Sequence, residues 1–159
     1  MIKPGQGFFV KTTGPTQLYF NNQMRTGGQN GHFLRTNSSE KHRFWLNLSN
    51  TTDLIGQTLI GYASGATQGN DSGLDGAYFN DSTTALTSLI EAQEFAIQAR
   101  SLPFNASDIV PLGFKTSIGG NYKISLSTFD GLFEGNQDIF LKDNATGLQQ
   151  NLKLSDYEF

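Results

Sequence analysis

The chain has 159 residues, a formal net charge of −3 and no cysteine. That length suits one domain with a core of its own. The missing thiols exclude disulfides and thiolate metal sites, and the acidic balance argues against nucleic acid or an anionic membrane as partner. Hydrophobic content is only 36%, so the 13 Phe and 5 Tyr must carry much of the burial. No apolar stretch approaches the roughly 20 residues of a membrane-spanning helix, so membrane insertion is not expected.

Gly7–Thr12 combines aromatic and β-branched residues and reads as a strand. Gly14-Pro15 marks a turn, and Gln17–Phe20 follows as the second strand of a predicted hairpin. Asn21 to Gly31 is polar, contains Gly27-Gly28 and reads as a loop. Arg43–Leu48 alternates, with Phe44, Leu46 and Leu48 on one face and Arg43, Trp45 and Asn47 on the other. Gln57–Tyr62 is a further strand. Ala63 to Asp81 is rich in Gly, Asp and Asn, and a loop this long in a compact domain has a function or no fixed structure. Thr83–Ile90 predicts a short helix, and Glu94–Arg100 a strand with Phe95, Ile97 and Ala99 inward. Val110–Thr116 and Tyr122–Ser127 form a predicted hairpin across Ser117–Asn121. Asp130 to Asp138 is a loop, Ile139–Leu141 a strand and Asp143–Gly147 a turn, and the tail carries Leu152, Leu154, Tyr157 and Phe159.

About nine or ten short strands, punctuated by Gly, Asn and Asp, predict an all-β fold: an antiparallel β-sandwich, jelly-roll-like. No internal repeat or Pro/Ser-rich linker divides the chain, so residues 1–159 are expected to form a single domain.

Seven segments carry a family resemblance. They are Pro4–Val10, Phe20–Arg25, Leu59–Tyr62, Asp71 with Leu74–Gly76, Val110–Phe114, Leu141–Asp143, and Leu154 through Tyr157–Phe159. In order and spacing they resemble a β-rich domain found near the C-termini of large secreted and cell-surface proteins of Bacteroidetes, just before the type IX secretion sorting domain. The resemblance implies export and surface display, with no catalytic activity and no catalytic residues. Such proteins usually carry a Trp/Asn/Pro-rich strand region before the Pro-Gly-Gln-Gly-Phe-Phe segment and continue past Tyr-x-Phe into a strand containing Arg-Phe. Neither stands here, so a fragment of a longer exported protein is expected, with strands missing at both ends. Met1–Gly5 has no signal-peptide anatomy, which places the expected targeting information outside this chain. Asp81-Ser82-Thr83 also resembles the acidic-hydroxyl sequon at which exported Bacteroidetes proteins take O-linked glycans.

The residues offer little for covalent chemistry. His32 and His42 are the only histidines, and no Gly-x-Ser-x-Gly elbow surrounds any serine. No carboxylate is nominated by spacing to orient a histidine base, and both histidines read as solvated surface groups. Asp71, Asp75, Asp81, Asp130, Glu134 and Asp138 fall in turns, where carboxylates stabilise local backbone. Two binding sites remain as candidates. Asn70, Asp71 and Asp75 crowd oxygen-bearing side chains among flexible glycines, a composition suited to structural calcium; otherwise no cofactor is expected. Trp45, flanked on its own face by Arg43 and Asn47, has the aromatic-plus-polar make-up of a sugar contact. The expected function is a non-catalytic structural or adhesion module of an exported bacterial cell-surface protein. The alternative is a carbohydrate-binding module attached to a secreted hydrolase. The expected partners are a surface polysaccharide or other domains of the same polypeptide.

Overall fold

The computed structural model describes Val10, residues 12–21, Gln23 and residues 40–159, and the chain divides into Met1–Ser38 and Ser39–Phe159. In the first unit the described residues are exposed, and Gln17–Phe20 forms no strand, contrary to expectation. The Tyr19 hydroxyl donates to Gln17 Oε1, a local bond between exposed side chains. The rest of the Gly7–Thr12 strand and of the 21–31 loop lies outside the described residues, as does His32.

The second unit is all-β. Its strands are β1 (Arg43–Ser49), β2 (Leu54–Ala63), β3 (Gly76–Ala77), β4 (Ala85–Ile90) and β5 (Gln93–Ser101). They continue with β6 (Leu112–Lys115), β7 (Lys123–Phe129), β8 (Phe140–Lys142), β9 (Gln149–Asn151) and β10 (Tyr157–Glu158). One sheet has the order β10-β7-β1-β2-β5-β4-β6, with β3 also on β5, while β8 and β9 form a separate hairpin.

The alternation in β1 decides its orientation. Phe44, Leu46 and Leu48 are buried, and register sets Leu46 opposite Leu126 and Leu48 opposite Ile124 of β7. Phe44 pairs with Ile60 on the other side. The β8–β9 hairpin and a 3-10 turn at Gly131–Glu134 add Ile139, Leu152 and Phe133 to this core. Burying a side chain such as Leu48, which is fully enclosed, stabilises by about 1.5–3 kcal/mol. The sheet curls until its ends meet through aromatic rings. Phe114 of β6 lies 5.1 Å from Tyr122 and 5.0 Å from Phe159, both edge-on.

Four expectations are corrected. Every named strand pairing is antiparallel except β2 with β5, which is parallel. Residues 64–92 carry the chain through β3 and β4 before it re-enters beside β2 in the same direction. Thr83–Ile90 is not helical: β4 is a central strand whose Ala85–Ser88 are all buried, so no solvated helix face exists there. β6 and β7 do not form a hairpin; β6 pairs with β4, and β7 pairs with β1 and β10. The glycine-rich link between them crosses from one end of the curled sheet to the other, tied by Tyr122 OH to Ile118 O at 2.7 Å. On β5, Phe95 and Ala99 point inward as expected, but Ile97 is 43% exposed, while Gln98 and Arg100 are buried. Gln98, Ala99 and Arg100 are buried in succession, so both faces of β5 are covered at its second half, which simple alternation cannot anticipate.

Candidate functional site

A groove of about 760 Å³ opens over the core. Its floor is Phe44 and Leu46 of β1 with Ile60 and Tyr62 of β2, side chains that alternation turns to one face. Phe104 and Phe133 close its inner end. Phe104 meets Tyr62 edge-on at 4.9 Å and Phe133 at 5.7 Å, and Phe133 meets Phe44 at 5.0 Å. Such edge-to-face packing holds the rings in fixed orientations. Two continuous runs of chain form the walls, 106–112 on one side and 136–142 on the other. Amides of Asn136, Gln137, Asn144 and Gln149 edge the opening.

One wall is pinned by a buried charge cluster. Arg100 Nε donates to Asp108 Oδ2 at 2.9 Å, and the Arg100 NH2 group donates to the other carboxylate oxygen and to Ile109 O at 3.2 Å. Tyr62 OH donates to Asp108 Oδ2 at 3.0 Å. Burial raises the pKa of Asp108, but the hydrogen bonds from Arg100 and Tyr62 outweigh it and hold the carboxyl below its ordinary value. Burial, then the neighbouring Asp108 charge, pushes the Tyr62 phenol far above its ordinary range, so Tyr62 stays a neutral donor. Tyr62 and Asp108 both line the groove, so its inner wall is rigid and charge-compensated.

The Trp45 patch assembles as alternation requires, and one face of β1 presents Arg43, Trp45 and Asn47, all half-buried. The Arg43 guanidinium stacks 4.9 Å above the Trp45 ring, and its Nε donates to Asp130 Oδ2 at 3.0 Å. Asp130 Oδ1 also accepts from the Arg43 backbone N–H at 2.9 Å. Asn47 Oδ1 accepts from Gln57 Nε2 at 2.8 Å. Arg43 therefore covers one face of the tryptophan ring. The Asp130 partnership spans 87 positions, beyond any local sequence signal.

In the 63–81 segment, Asp71 and Asp75 organise backbone. Asp71 accepts from Thr67 Oγ1 at 2.9 Å, while Asp75 accepts the N–H groups of Asp71 and Ala99, both at 2.6 Å. The last bond ties the loop to β5. Gly73, at φ +92, makes the turn between the two carboxylates. Asn70 is exposed. Among the described residues no group of three or more His, Cys, Asp or Glu side chains gathers in metal-binding geometry. His42 is half-buried rather than a free surface group: its Nδ1 accepts the Leu132 N–H at 3.2 Å.

Residues 1–159 match, over their whole length, the family described as Domain of unknown function (DUF8693). The chain belongs to the DUF8693 family. No curated protein matches it, and no solved structure does. In this DUF8693 chain the groove residues escaped sequence reading because they come from five separated segments. Val110-Pro111-Leu112 read as strand and 130–138 as loop, and nothing local joins them.

Proposed function

We propose that this DUF8693 chain is a non-catalytic structural and adhesion module of an exported bacterial cell-surface protein, and that it holds its partner in the groove between 106–112 and 136–142. The observation that carries this reading is the groove itself. An apolar floor with a few amides at its rim, in a volume of about 760 Å³, has the make-up of a binding site. The ordered sheet supplies a rigid frame, and the loop residues Asn136 and Gln137 supply adaptable contacts. Charged side chains serve the frame: Arg43 pairs with Asp130, Arg100 with Asp108, Lys115 with Glu94 and Lys123 with Asp156. That distribution favours display and contact over proton-transfer chemistry. The resemblance to domains preceding type IX sorting regions supports the cell-surface setting.

A second reading, a carbohydrate-binding module using Trp45, Arg43 and Asn47, draws support from their shared half-exposed face. A sugar stacking on the ring face that Arg43 covers would have to displace the guanidinium.

One screen separates the two readings. The purified chain is tested on glycan, polysaccharide and linear-peptide arrays, with two variants alongside. Ala106→Arg obstructs the groove from an exposed lining position, and Trp45→Ala removes the aromatic patch. Binding abolished by Ala106→Arg and kept by Trp45→Ala is the expected result. The reverse pattern would transfer the function to Trp45. Silence across all arrays from a folded protein would overturn adhesion through the groove.

A further inference from the structure

We propose that the groove receives an extended strand of a partner polypeptide, which adds to the edge of β8 that pairs with no strand among the described residues; this rests on the groove being the binding site. The hydrogen-bond pattern of the β8–β9 hairpin carries the inference. Leu152 N donates to Ile139 O at 2.8 Å, and Asp143 N donates to Leu148 O at 2.9 Å. Both pairs share the hairpin register in which Phe140 faces Asn151 and Lys142 faces Gln149. In an antiparallel ladder, hydrogen-bonded and non-bonded pairs alternate. Ile139, Leu141 and Asp143 therefore direct their backbone groups to β9, and Phe140 and Lys142 direct theirs away from it.

The run that carries that outer edge lines the groove. Residues 136 to 142 all line it in succession, whereas of β9 only Gln149 does. The N–H and C=O groups of Phe140 and Lys142 thus stand along one wall, in the arrangement that β-addition uses. Backbone donors and acceptors repeating along an extended edge match another polypeptide backbone. An incoming strand would also set every second side chain into the groove, beside the exposed apolar Ile109 of the opposite wall. Charge does not oppose it. The charged lining residues are Asp108, neutralised by Arg100, with Asp138 and Lys142 of opposite sign. The addition would extend the two-stranded layer to three.

The test uses the chain as it exists against a displayed library of random linear peptides, followed by amide hydrogen exchange with the selected peptides. Enriched sequences should alternate apolar and polar residues, and bound peptide should slow exchange at Phe140 and Lys142. Lys142→Pro removes one outward N–H while leaving the β9-facing groups in place, and Pro is tolerated at such edges. It should weaken binding about fivefold, the worth of one net hydrogen bond, beyond whatever change Lys142→Ala shows from loss of the side chain alone. Peptides that are blocked by Ala106→Arg but bind Lys142→Pro equally, with no added protection at Phe140 and Lys142, would overturn strand addition and leave the groove reading standing. A library that yields only peptides indifferent to Ala106→Arg, or a groove that selects glycans and no peptide, would also overturn strand addition. Indifference to Ala106→Arg in every screen would sink the groove reading too. If Lys142→Pro fails to fold, the exchange measurement on the unmodified chain decides alone.

Discussion

Gly131→Ala tests the account of how the 3-10 turn is seated. Gly131 has φ +61, and a Cβ built on it would lie 1.7 Å from the Lys41 carbonyl oxygen and 2.4 Å from His42 Nδ1. Ordinary contact begins at 3.4 Å, twice the first distance. The obstructing oxygen is backbone, so rotamer changes cannot clear it. The left-handed conformation alone costs a residue with a side chain roughly 1–2 kcal/mol. Displacing packed backbone adds about 1–3 kcal/mol, as overpacking does. The sum is about 2–5 kcal/mol against a typical total of about 5–15 kcal/mol. Gly147 supplies the control, because it has φ +77 with nothing within 4 Å of a new Cβ. Gly147→Ala should show the conformational cost alone, about 1–2 kcal/mol. Urea unfolding followed by near-ultraviolet circular dichroism measures both, with a slope of about 1–3 kcal/mol per molar. Equal midpoints for the two variants would refute the steric argument. The loss should also loosen Phe133, since the turn begun at Gly131 places that ring, 2% exposed, in the core.

Asp108→Asn should destabilise by about 3–5 kcal/mol in urea, because it leaves Arg100 buried without its counter-charge; the two side chains are only 13% and 8% exposed. Acid stability should depend on Asp143, whose carboxyl is lowered to about 2 by the Tyr157 hydroxyl first and Thr146 next. A depressed folded-state pKa contributes stability above the ordinary 3.8 that is lost as pH falls toward about 2. Melting temperatures should therefore fall across that window, and fall less steeply in Asp143→Asn; identical slopes would exclude this role. Gln98 is 1% exposed, and among the described residues neither polar atom of its carboxamide has a hydrogen-bond partner. Gln98→Leu should raise stability by about 1 kcal/mol, since it removes an uncompensated desolvation cost, and a lowered urea midpoint would show the amide to be bonded in solution. Calcium and chelator should leave the melting curve unchanged, because Asp71 and Asp75 already accept backbone N–H groups. A melting temperature that falls in chelator would return these carboxylates to ion binding.

What the sequence by itself determined is local and periodic. Alternation over Arg43–Leu48 separates Phe44, Leu46 and Leu48 from Arg43, Trp45 and Asn47, because successive side chains on any strand point to opposite faces. Turn chemistry around Asp71, Gly73 and Gly147 was equally legible, since such residues relieve backbone strain within a few positions. The partners were not. A strand's pattern does not say which strand lies beside it, so the parallel β2–β5 pairing and the separation of β6 from β7 came only with the tertiary structure. Thr83–Ile90 shows the same limit: burial on both faces erases the alternation that would have marked β4 as a strand. Arg43 meeting Asp130, and Arg100 and Tyr62 meeting Asp108, depend on chain closure. The groove depends on it as well, because its floor, inner end and walls are distant in sequence and become one surface only when the sheet curls and β8–β9 folds over it.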